Sequence, residues 1–376
     1  MRSVAVLLML VAATAGCVSP TESADEAPWD LGALLPLSLD GASFGEPALN
    51  GIRLAVEEVN DAGGIDGRSV QLHTGDTRFP NTQEAVAEMQ RLVGAGVPFI
   101  IGATASDSSA AAKEIANQNE VILMSPGSTR PSLTGPDHGY FFRTIASDAV
   151  QGPQAARFAV EELGHDTAVV MYEQTAYGRG LEQQFIPEFE DLGGTVLGPS
   201  IAWEHDETTY EAKAAEAVAL AEDLIWIAGQ APHIANLIES IRGQGYGGDI
   251  QTSEAIENPS IFDVAADAVD DAYFTKSGAG LGGPAAERFR ADYEARWGEA
   301  PGVFSAFAYD AAYVAFAAFE AVGDDGPAMK QWLETTAAVE DRITTDTIRF
   351  NSNGDVTTGG YALWQVDGDA RTFEPA

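Results

Sequence analysis

The sequence predicts an α/β protein built from two doubly wound, mostly parallel sheets with helices on both sides. Short apolar runs rich in β-branched residues recur along the chain, and segments with helical spacing of apolar residues separate them. The runs are apolar on both faces, as strands of a parallel sheet covered by helices are. With 45% hydrophobic content, a mature chain of about 350 residues can bury the cores of two domains.

The alternation of strand and helix is regular enough to assign individual elements. Strand candidates are residues 97–101, 121–124, 168–171 and 224–227. Helical spacing of apolar residues is clearest at 48–59, 85–93 and 234–241. Glycine pairs begin at Gly63 and Gly193, just after two helical segments, where a helix ends on a residue with left-handed backbone.

The N-terminal segment has the order of a secretory signal. A positive charge precedes the apolar residues 4–15, which are too few to span a bilayer, and a pair of small residues follows. The only cysteine, Cys17, comes next, as in a lipobox. We predict a signal peptide at 1–16, a lipidated Cys17 and an acidic tether at 17–28, so the protein would be held on the extracellular face of the cell membrane. An unmodified cysteine in a cleaved signal is the alternative.

The charge of the chain is strongly negative. The formal net charge is −37, from 57 acidic and 20 basic side chains. A nucleic-acid binder needs the opposite sign, and the apolar patterning argues against disorder. The composition is typical of a halophilic archaeon, whose surface carboxylates need concentrated salt to screen their repulsion. An ordinary acidic protein is the alternative.

No catalytic or cofactor motif is present in the sequence. The five histidines are His73, His138, His165, His205 and His233. Their spacing fits no ligand pattern, so we predict no metal site. The run at 278–283 matches a dinucleotide motif but lies far from the first strand, which favours a flexible hinge loop. GxSxG, Walker and HExxH motifs are not found, so we predict a protein that is not an enzyme and has no cofactor.

An ordered set of short motifs resembles the solute-binding proteins of branched-chain amino acid ABC transporters. In chain order the motifs are LGALLPLS at 31–38, AVEEVN at 55–60, AGGIDGR at 62–68, GDT at 75–77, IIG at 100–102, SPGST at 125–129, FRT at 142–144, YGRGL at 177–181 and YDA at 309–311. They cover nearly all of the chain from Trp29 onward. By this resemblance the chain is similar to the leucine/isoleucine/valine-binding proteins, a group of type I periplasmic binding proteins.

The resemblance implies a two-lobed Venus-flytrap fold with three hinge crossings. Lobe I would comprise residues 29–147 and 277–348, and lobe II residues 148–276 and 349–376. The ligand would lie between the lobes, at the carboxyl ends of the strands, where open α/β sheets leave a crevice. Binding would favour a closed form that the permease recognises.

For lobe I, the resemblance implies ligand contacts on two loops. Ala105 and Ser106 would hold a ligand carboxylate, because the free N–H groups of the helix just beyond favour an anion. A plain helix cap is the alternative role of Ser106. Gly127, Ser128 and Thr129 would supply a backbone carbonyl and a hydroxyl, with stabilisation of the turn as the alternative.

For lobe II, the resemblance implies that Tyr177, Gln230 and Glu254 face the ligand. The family pairs an acidic residue at the position of Glu254 with the ligand ammonium, which would be costly to leave unpaired in a closed cleft. Phe44 and Phe304 would lie at the cleft rim, with core packing as the alternative. We expect the cleft without ligand to be open, with Glu254 solvated.

The resemblance thus implies a protein that captures a branched-chain or similar amino acid and delivers it to an ABC permease and its ATPase. Three positions depart from the family pattern: Gln230 and Phe44 replace tyrosines, and Asp107 replaces a serine. A polar amino acid, a small amide or urea is therefore an alternative ligand, and a ligand-sensing receptor module is an alternative class. We expect a monomer that contacts the membrane only through lipidated Cys17 and binds no nucleic acid.

The acidic composition generates a prediction about salt. Dilution from molar to tenths of molar salt increases the electrostatic screening length from about 3 Å to about 10 Å. Repulsion between carboxylates then acts over a longer distance and should lower the free energy of unfolding. Thermal unfolding at the two concentrations should show a lower melting temperature in dilute salt. Equal melting temperatures would contradict the halophilic interpretation.

Overall fold

The computed structural model describes residues 27–278 and 282–376. The predicted signal peptide, Cys17 and most of the tether lie outside the described residues, as does the centre of the glycine-rich loop at 279–281. Among the helices of the described segments, none combines the length and apolar character that crossing a membrane requires.

The first part of the chain builds a five-stranded parallel sheet. Its elements are β1 (Trp29–Leu35), α1 (Ala42–Asp61), β2 (Val70–Asp76), α2 (Thr82–Gly94), β3 (Phe99–Gly102), α3 (Ser106–Asn119), β4 (Ile122–Ser125) and β5 (Phe141–Arg143). The strand order is β2-β1-β3-β4-β5. We call this sheet and the helices on it lobe I.

The second part of the chain builds most of a larger sheet. Its elements are α4 (Asp148–Arg157), β6 (Thr167–Glu173), α5 (Ala176–Asp191), β7 (Thr195–Val196), β8 (Ile201–Trp203), α6 (Glu211–Leu220), β9 (Leu224–Ala228), α7 (His233–Gly243), β10 (Asp249–Thr252), α8 (Ile261–Val269) and β11 (Tyr273–Ser277). A π-helical turn at Phe158–Glu162 extends α4. We call this sheet and its helices lobe II.

The last part of the chain contributes to both lobes. Its elements are α9 (Pro284–Trp297), α10 (Ser305–Val322), α11 (Gly326–Thr335), β12 (Val339–Glu340), β13 (Thr347–Ile348), β14 (Tyr361–Asp367) and β15 (Thr372–Pro375). Helix α10 packs on α1 in lobe I, whereas β14 and β15 complete lobe II as antiparallel strands. The large sheet has eight strands in the order β15-β14-β11-β10-β9-β6-β7, with β8 also paired to β6.

The structure confirms the predicted α/β class with two doubly wound, mostly parallel sheets. Alternate residues of one strand pack on opposite helix layers: in β9, Trp226 stacks on Phe185 of α5 with ring centroids 4.0 Å apart, whereas Ile225 and Ile227 pack with Ile234 of α7. All of these side chains are buried. The four strand candidates fall on β3, β4, β6 and β9 because their apolar residues are needed on both faces. The residue boundaries of the lobes stay a prediction.

The helix ends follow the local sequence signals. Asn81, Thr175 and Asp325 precede α2, α5 and α11, and the side chain of each accepts a backbone N–H of the first turn. Gly63 and Gly193 follow α1 and α5 with φ of +104° and +96°, a backbone conformation that side chains with Cβ rarely adopt. The expectation for both glycine pairs is confirmed.

Arg143, the last residue of β5, connects two of the segments that run between the lobes. Its guanidinium is fully buried and donates from Nε to Asp355 Oδ1 at 2.7 Å. It also donates to the carbonyls of Ser128 at 3.2 Å and Arg130 at 3.0 Å, and to the hydroxyl of Thr134. Asp355 lies between β13 and β14, so one buried cation joins the segment that leads from β5 to α4 to the segment that leads to β14.

This network gives a stability prediction. Arg143→Met should lower the free energy of unfolding by roughly 3–5 kcal/mol, because it leaves a carboxylate and two carbonyls without their buried donor. Arg157→Met is the control, since Arg157 is half exposed and its pair with Glu188 at 2.6 Å should contribute no more than about 1 kcal/mol. Urea unfolding of both variants measures the difference, and similar losses would contradict the role of Arg143.

Candidate functional site

A cavity lies between the lobes at the carboxyl ends of the parallel strands. It is partly open to solvent, and about 400 Å³ of space without protein atoms lies there, a figure that includes open solvent. Lobe I contributes Pro36, Gly41, Phe44, Phe79, Thr104, Ala105, Ser106, Gly127 and Phe304. Lobe II contributes Tyr177, Gln230, Glu254 and Ala255. A cleft between two lobes, at the carboxyl ends of parallel strands, is a common position for a small-molecule site.

Most of the sequence-predicted site residues meet at this cavity. Those that line it are Phe44, Ala105, Ser106, Gly127, Tyr177, Gln230, Glu254 and Phe304. Ser128 and Thr129 are buried beside it instead. The Ser128 hydroxyl donates to the carbonyl of Ala103 at 3.0 Å and therefore holds the loop. Ligand contact by any of these residues stays a prediction.

The lobe I side of the cavity is formed by the start of α3. Ala105 has extended backbone and no side-chain cap, and Ser106 is the first helical residue. The N–H groups of this first turn have no carbonyl partner within the helix, which suits an anion. Ser106 Oγ is buried and accepts the Arg130 N–H at 3.4 Å. Ser106 is therefore not the helix cap, and it is one of the residues that line the cavity.

Glu254 contributes a carboxyl group to the cavity lining from lobe II. It opens a short 3-10 turn after β10, and only 1% of the residue is exposed. Tyr177 donates its hydroxyl to Glu254 Oε2 at 2.8 Å, and Gln151 donates its amide to the same oxygen. Burial raises the pKa of Glu254 to about 7, although both hydrogen bonds favour the ionised form. A cation placed in the cavity would therefore convert this carboxyl into a carboxylate.

A second acid lies close to Glu254. Asp148, the first residue of α4, is fully buried, and its pKa is raised well above the usual range by burial and by the nearby Glu254 carboxyl. The Gln151 amide, which donates to Glu254, also donates to Thr275 Oγ1 of β11 at 2.7 Å. Sequence reasoning missed Asp148 and Gln151, because a first-turn acid and a helical glutamine carry no signal of burial.

The lobes are in contact across the cavity mouth. The Asp107 carboxylate of lobe I accepts the N–H of Ala176, the first residue of α5, at 3.0 Å. Asn258 of lobe II donates to Ser43 Oγ of lobe I at 2.8 Å. The lobes therefore meet in this structure and Glu254 is buried; the open cleft expected for the form without ligand stays a prediction. Asp107, which replaces the serine of the family pattern, is thus engaged by a helix N-terminus.

Two of the histidines come together at the edge of the cavity. Nδ1 of His205 and of His233 lie 2.6 Å and 3.1 Å from Glu173 Oε1, and the Gln230 N–H donates to Oε2 at 3.0 Å. Burial disfavours the charged carboxylate, but the hydrogen bonds from the two imidazoles outweigh it, so the pKa of Glu173 is lowered. The spacing of the histidines along the sequence gave no sign of this pair, since distant segments deliver them to one place.

The chain belongs to the periplasmic binding protein family, whose profile matches residues 28–371. The fold is the type I periplasmic binding protein fold, with the cavity between its two lobes. Members of this family bind solutes and do not convert them, so the protein is not an enzyme.

Similar proteins span nearly the whole chain. A leucine-, isoleucine-, valine-, threonine- and alanine-binding protein of Pseudomonas aeruginosa is 25% identical over 341 residues, 90% of either chain. The Leu/Ile/Val-binding protein of Escherichia coli K12 is 24% identical over 266 residues, 70% of this chain and 71% of that one. The crystal structure of a leucine-binding protein of Thermotoga maritima superposes with a TM-score of 0.84 at 27% identity, covering 92% and 97% of the two chains.

The same fold also holds other ligands. A solute-binding protein of an ABC transporter from Rhodopseudomonas palustris, solved with 3,4-dihydroxybenzoic acid, superposes with a TM-score of 0.79. It is 17% identical and covers 90% of this chain and 93% of its own. At that identity the likeness shows the fold alone, and the ligand has to be argued from the cavity.

Proposed function

We propose that the protein captures an amino acid with a branched aliphatic or similar side chain between its lobes and delivers it to an ABC permease and its ATPase. The names of the relatives from Pseudomonas aeruginosa and Escherichia coli support this ligand class. We also propose that lipidated Cys17 holds the protein on the extracellular face of the membrane and that its surface is halophilic.

The polarity of the cavity supports an amino acid. An α-carboxylate would meet the first turn of α3 and the Ser106 hydroxyl, where partly positive N–H groups are available. The α-ammonium would meet Glu254 and Tyr177 on the opposite lobe. The cavity is lined mostly by buried residues, so each charge of the ligand needs such a partner. A ligand that contacts both lobes in this way would also stabilise the closed form.

The apolar part of the cavity supports an aliphatic side chain. Phe44 and Phe304 line it with ring centroids 5.8 Å apart and planes tilted by 43°, and Phe79 adds a third ring. Burying an aliphatic side chain such as that of leucine against these rings contributes about 1.5–3 kcal/mol of favourable transfer free energy.

The observation that carries the proposal is the buried carboxyl of Glu254. Both of its hydrogen-bond donors, Tyr177 and Gln151, are neutral, and no cation among the described residues contacts it to compensate its charge. A ligand ammonium would supply that compensation inside the cavity, where an ion pair is weakly screened.

A neutral amide or urea is the second candidate. With a pKa of about 7, Glu254 also exists in the protonated form, which can donate a hydrogen bond to a carbonyl oxygen. Gln230, in place of a tyrosine, adds an amide that can both donate and accept. A ligand-sensing receptor module remains the alternative class, and it shares the same cavity.

A panel of amino acids, amides and aromatic acids tests the ligand class by thermal shift in molar salt. Leucine, isoleucine or valine should raise the melting temperature by mass action, because they bind only the folded state. Titration calorimetry should then show Glu254→Gln weakening the best amino acid by at least about 30-fold, the lower end of the 2–5 kcal/mol that truncating a buried charge pair costs. Glu257→Gln is the matched control: its carboxylate lies in the same loop but pairs with Lys276 and does not line the cavity.

The outcomes separate the candidates. Binding by Glu254→Gln within about twofold of wild type would remove Glu254 as the ammonium partner. A thermal shift with urea or an amide, but none with amino acids, would move the proposal to the second candidate. Recovery of the ligand chemically changed would contradict the binding-protein function itself.

A further inference from the structure

A cluster of three side chains lies outside the lining of the ligand cavity: Glu173, His205 and His233. The sheet topology explains how this cluster arises. Glu173 is the last residue of β6, and its register partner Trp203 is the last residue of β8. His205 follows β8 by two residues, and His233 begins the helix after β9, the other neighbour of β6. Three adjacent parallel strands thus deliver one ligand-type side chain each to the same edge of the sheet.

The geometry of the cluster is convergent. Both imidazoles point Nδ1 at a single carboxylate oxygen, Glu173 Oε1, and the three ligand atoms all lie within 4.8 Å of one another. The ring centroids of His205 and His233 are 4.6 Å apart. Glu173 is fully buried, and the histidine side chains are 16% and 13% exposed. The cluster is therefore anchored on the sheet through Glu173, and its two histidines are partly accessible.

The chemistry of the set is that of a transition-metal site. Two imidazoles and one carboxylate occur as the protein ligands of zinc sites that keep a fourth position open. Imidazole nitrogen suits Zn²⁺, Cu²⁺ and Ni²⁺, whereas Mg²⁺ and Ca²⁺ prefer oxygen. At bond lengths of 2.0–2.1 Å a tetrahedral ion holds its ligand atoms about 3.3 Å apart. The distances of 2.6 Å and 3.1 Å from Glu173 Oε1 to the two Nδ1 atoms would increase by less than about 1 Å as the metal replaces the shared protons.

We propose that Glu173 Oε1, His205 Nδ1 and His233 Nδ1 bind a divalent transition-metal ion, with Zn²⁺ as the best-matched ion and water in the fourth position.

The surroundings of the cluster already hold it in place. The Gln230 N–H donates to Glu173 Oε2 at 3.0 Å, which leaves Oε1 oriented toward the histidines. Hydrogen bonds of this kind to a ligating carboxylate are a common support of metal sites. On the other side, Phe79 of lobe I meets the His205 ring edge-on with centroids 5.0 Å apart. The metal site would thus lie at the boundary between the lobes, next to the ligand cavity but separate from it.

The test is calorimetric titration of the metal-stripped protein with Zn²⁺ in excess Mg²⁺, which occupies non-specific acidic sites on the surface. We expect one Zn²⁺ per chain. His205→Gln and His233→Gln should each weaken Zn²⁺ binding by at least about tenfold. This is the lower end of the loss of metal affinity caused by mutating residues that only support the metal ligands. His73→Gln is the matched control, because His73 also contacts a carboxylate, Asp30 at 2.6 Å, but has no second histidine. The affinity of His73→Gln for Zn²⁺ should equal that of wild type.

A second readout keeps the test decisive if a histidine variant folds poorly. Co²⁺ added to wild type should give the intense visible absorption of a tetrahedral site with nitrogen ligands, and Zn²⁺ should remove it. Zn²⁺ binding that Mg²⁺ abolishes, equal binding in all three variants, or only weak octahedral Co²⁺ absorption would overturn the proposal. The cluster would then be a hydrogen-bonded histidine pair on a buried carboxylate.

Discussion

Parallel strands end at one edge of their sheet, and the functional features of this molecule depend on that constraint. In lobe I the edge carries the start of α3 at Ser106 and the turn at Gly127. In lobe II it carries Glu254 and Gln230, together with Glu173. Because the two edges face each other, residues from distant parts of the chain meet in one cavity. The sheet cores position these loops by burying both faces of every central strand.

Buried carboxyls are accommodated in two different ways along the lobe II edge. Glu173 is held as a carboxylate because two imidazoles and a backbone N–H donate to it, which lowers its pKa. Glu254 has only neutral donors, and burial raises its pKa to about 7. The charge of Glu173 is compensated by the protein, whereas we propose that a positively charged ligand compensates the charge of Glu254. This difference assigns the two acids to separate sites although they stand on the same sheet edge.

The sequence predicted those features that depend on local pattern. The strands at β3, β4, β6 and β9 could be assigned because each is apolar on both faces, and the family resemblance placed Ser106 and Glu254 just after strand ends. Contacts between distant segments carried no such signal. Asp148 beside Glu254, and His205 beside His233, meet only when the sheet forms.

The sequence also did not predict the direction of a side chain within a loop. Ser128 stands in a loop that the sequence identified, yet its hydroxyl donates to the Ala103 carbonyl and the residue does not line the cavity. The contact of Asp107 with the first N–H of α5 depends on how the two lobes meet. A single sequence does not encode that relative position in any local pattern.

The central claim is that a ligand ammonium pairs with Glu254 in the closed cleft. Calorimetric titration with the best amino acid at pH 7, in two buffers of different ionisation enthalpy, measures the protons exchanged on binding. A nearby cation lowers the pKa of a carboxyl, so the wild type should release a sizeable fraction of a proton and Glu254→Gln should release none. Binding without proton release by the wild type, or with proton uptake, would contradict the account.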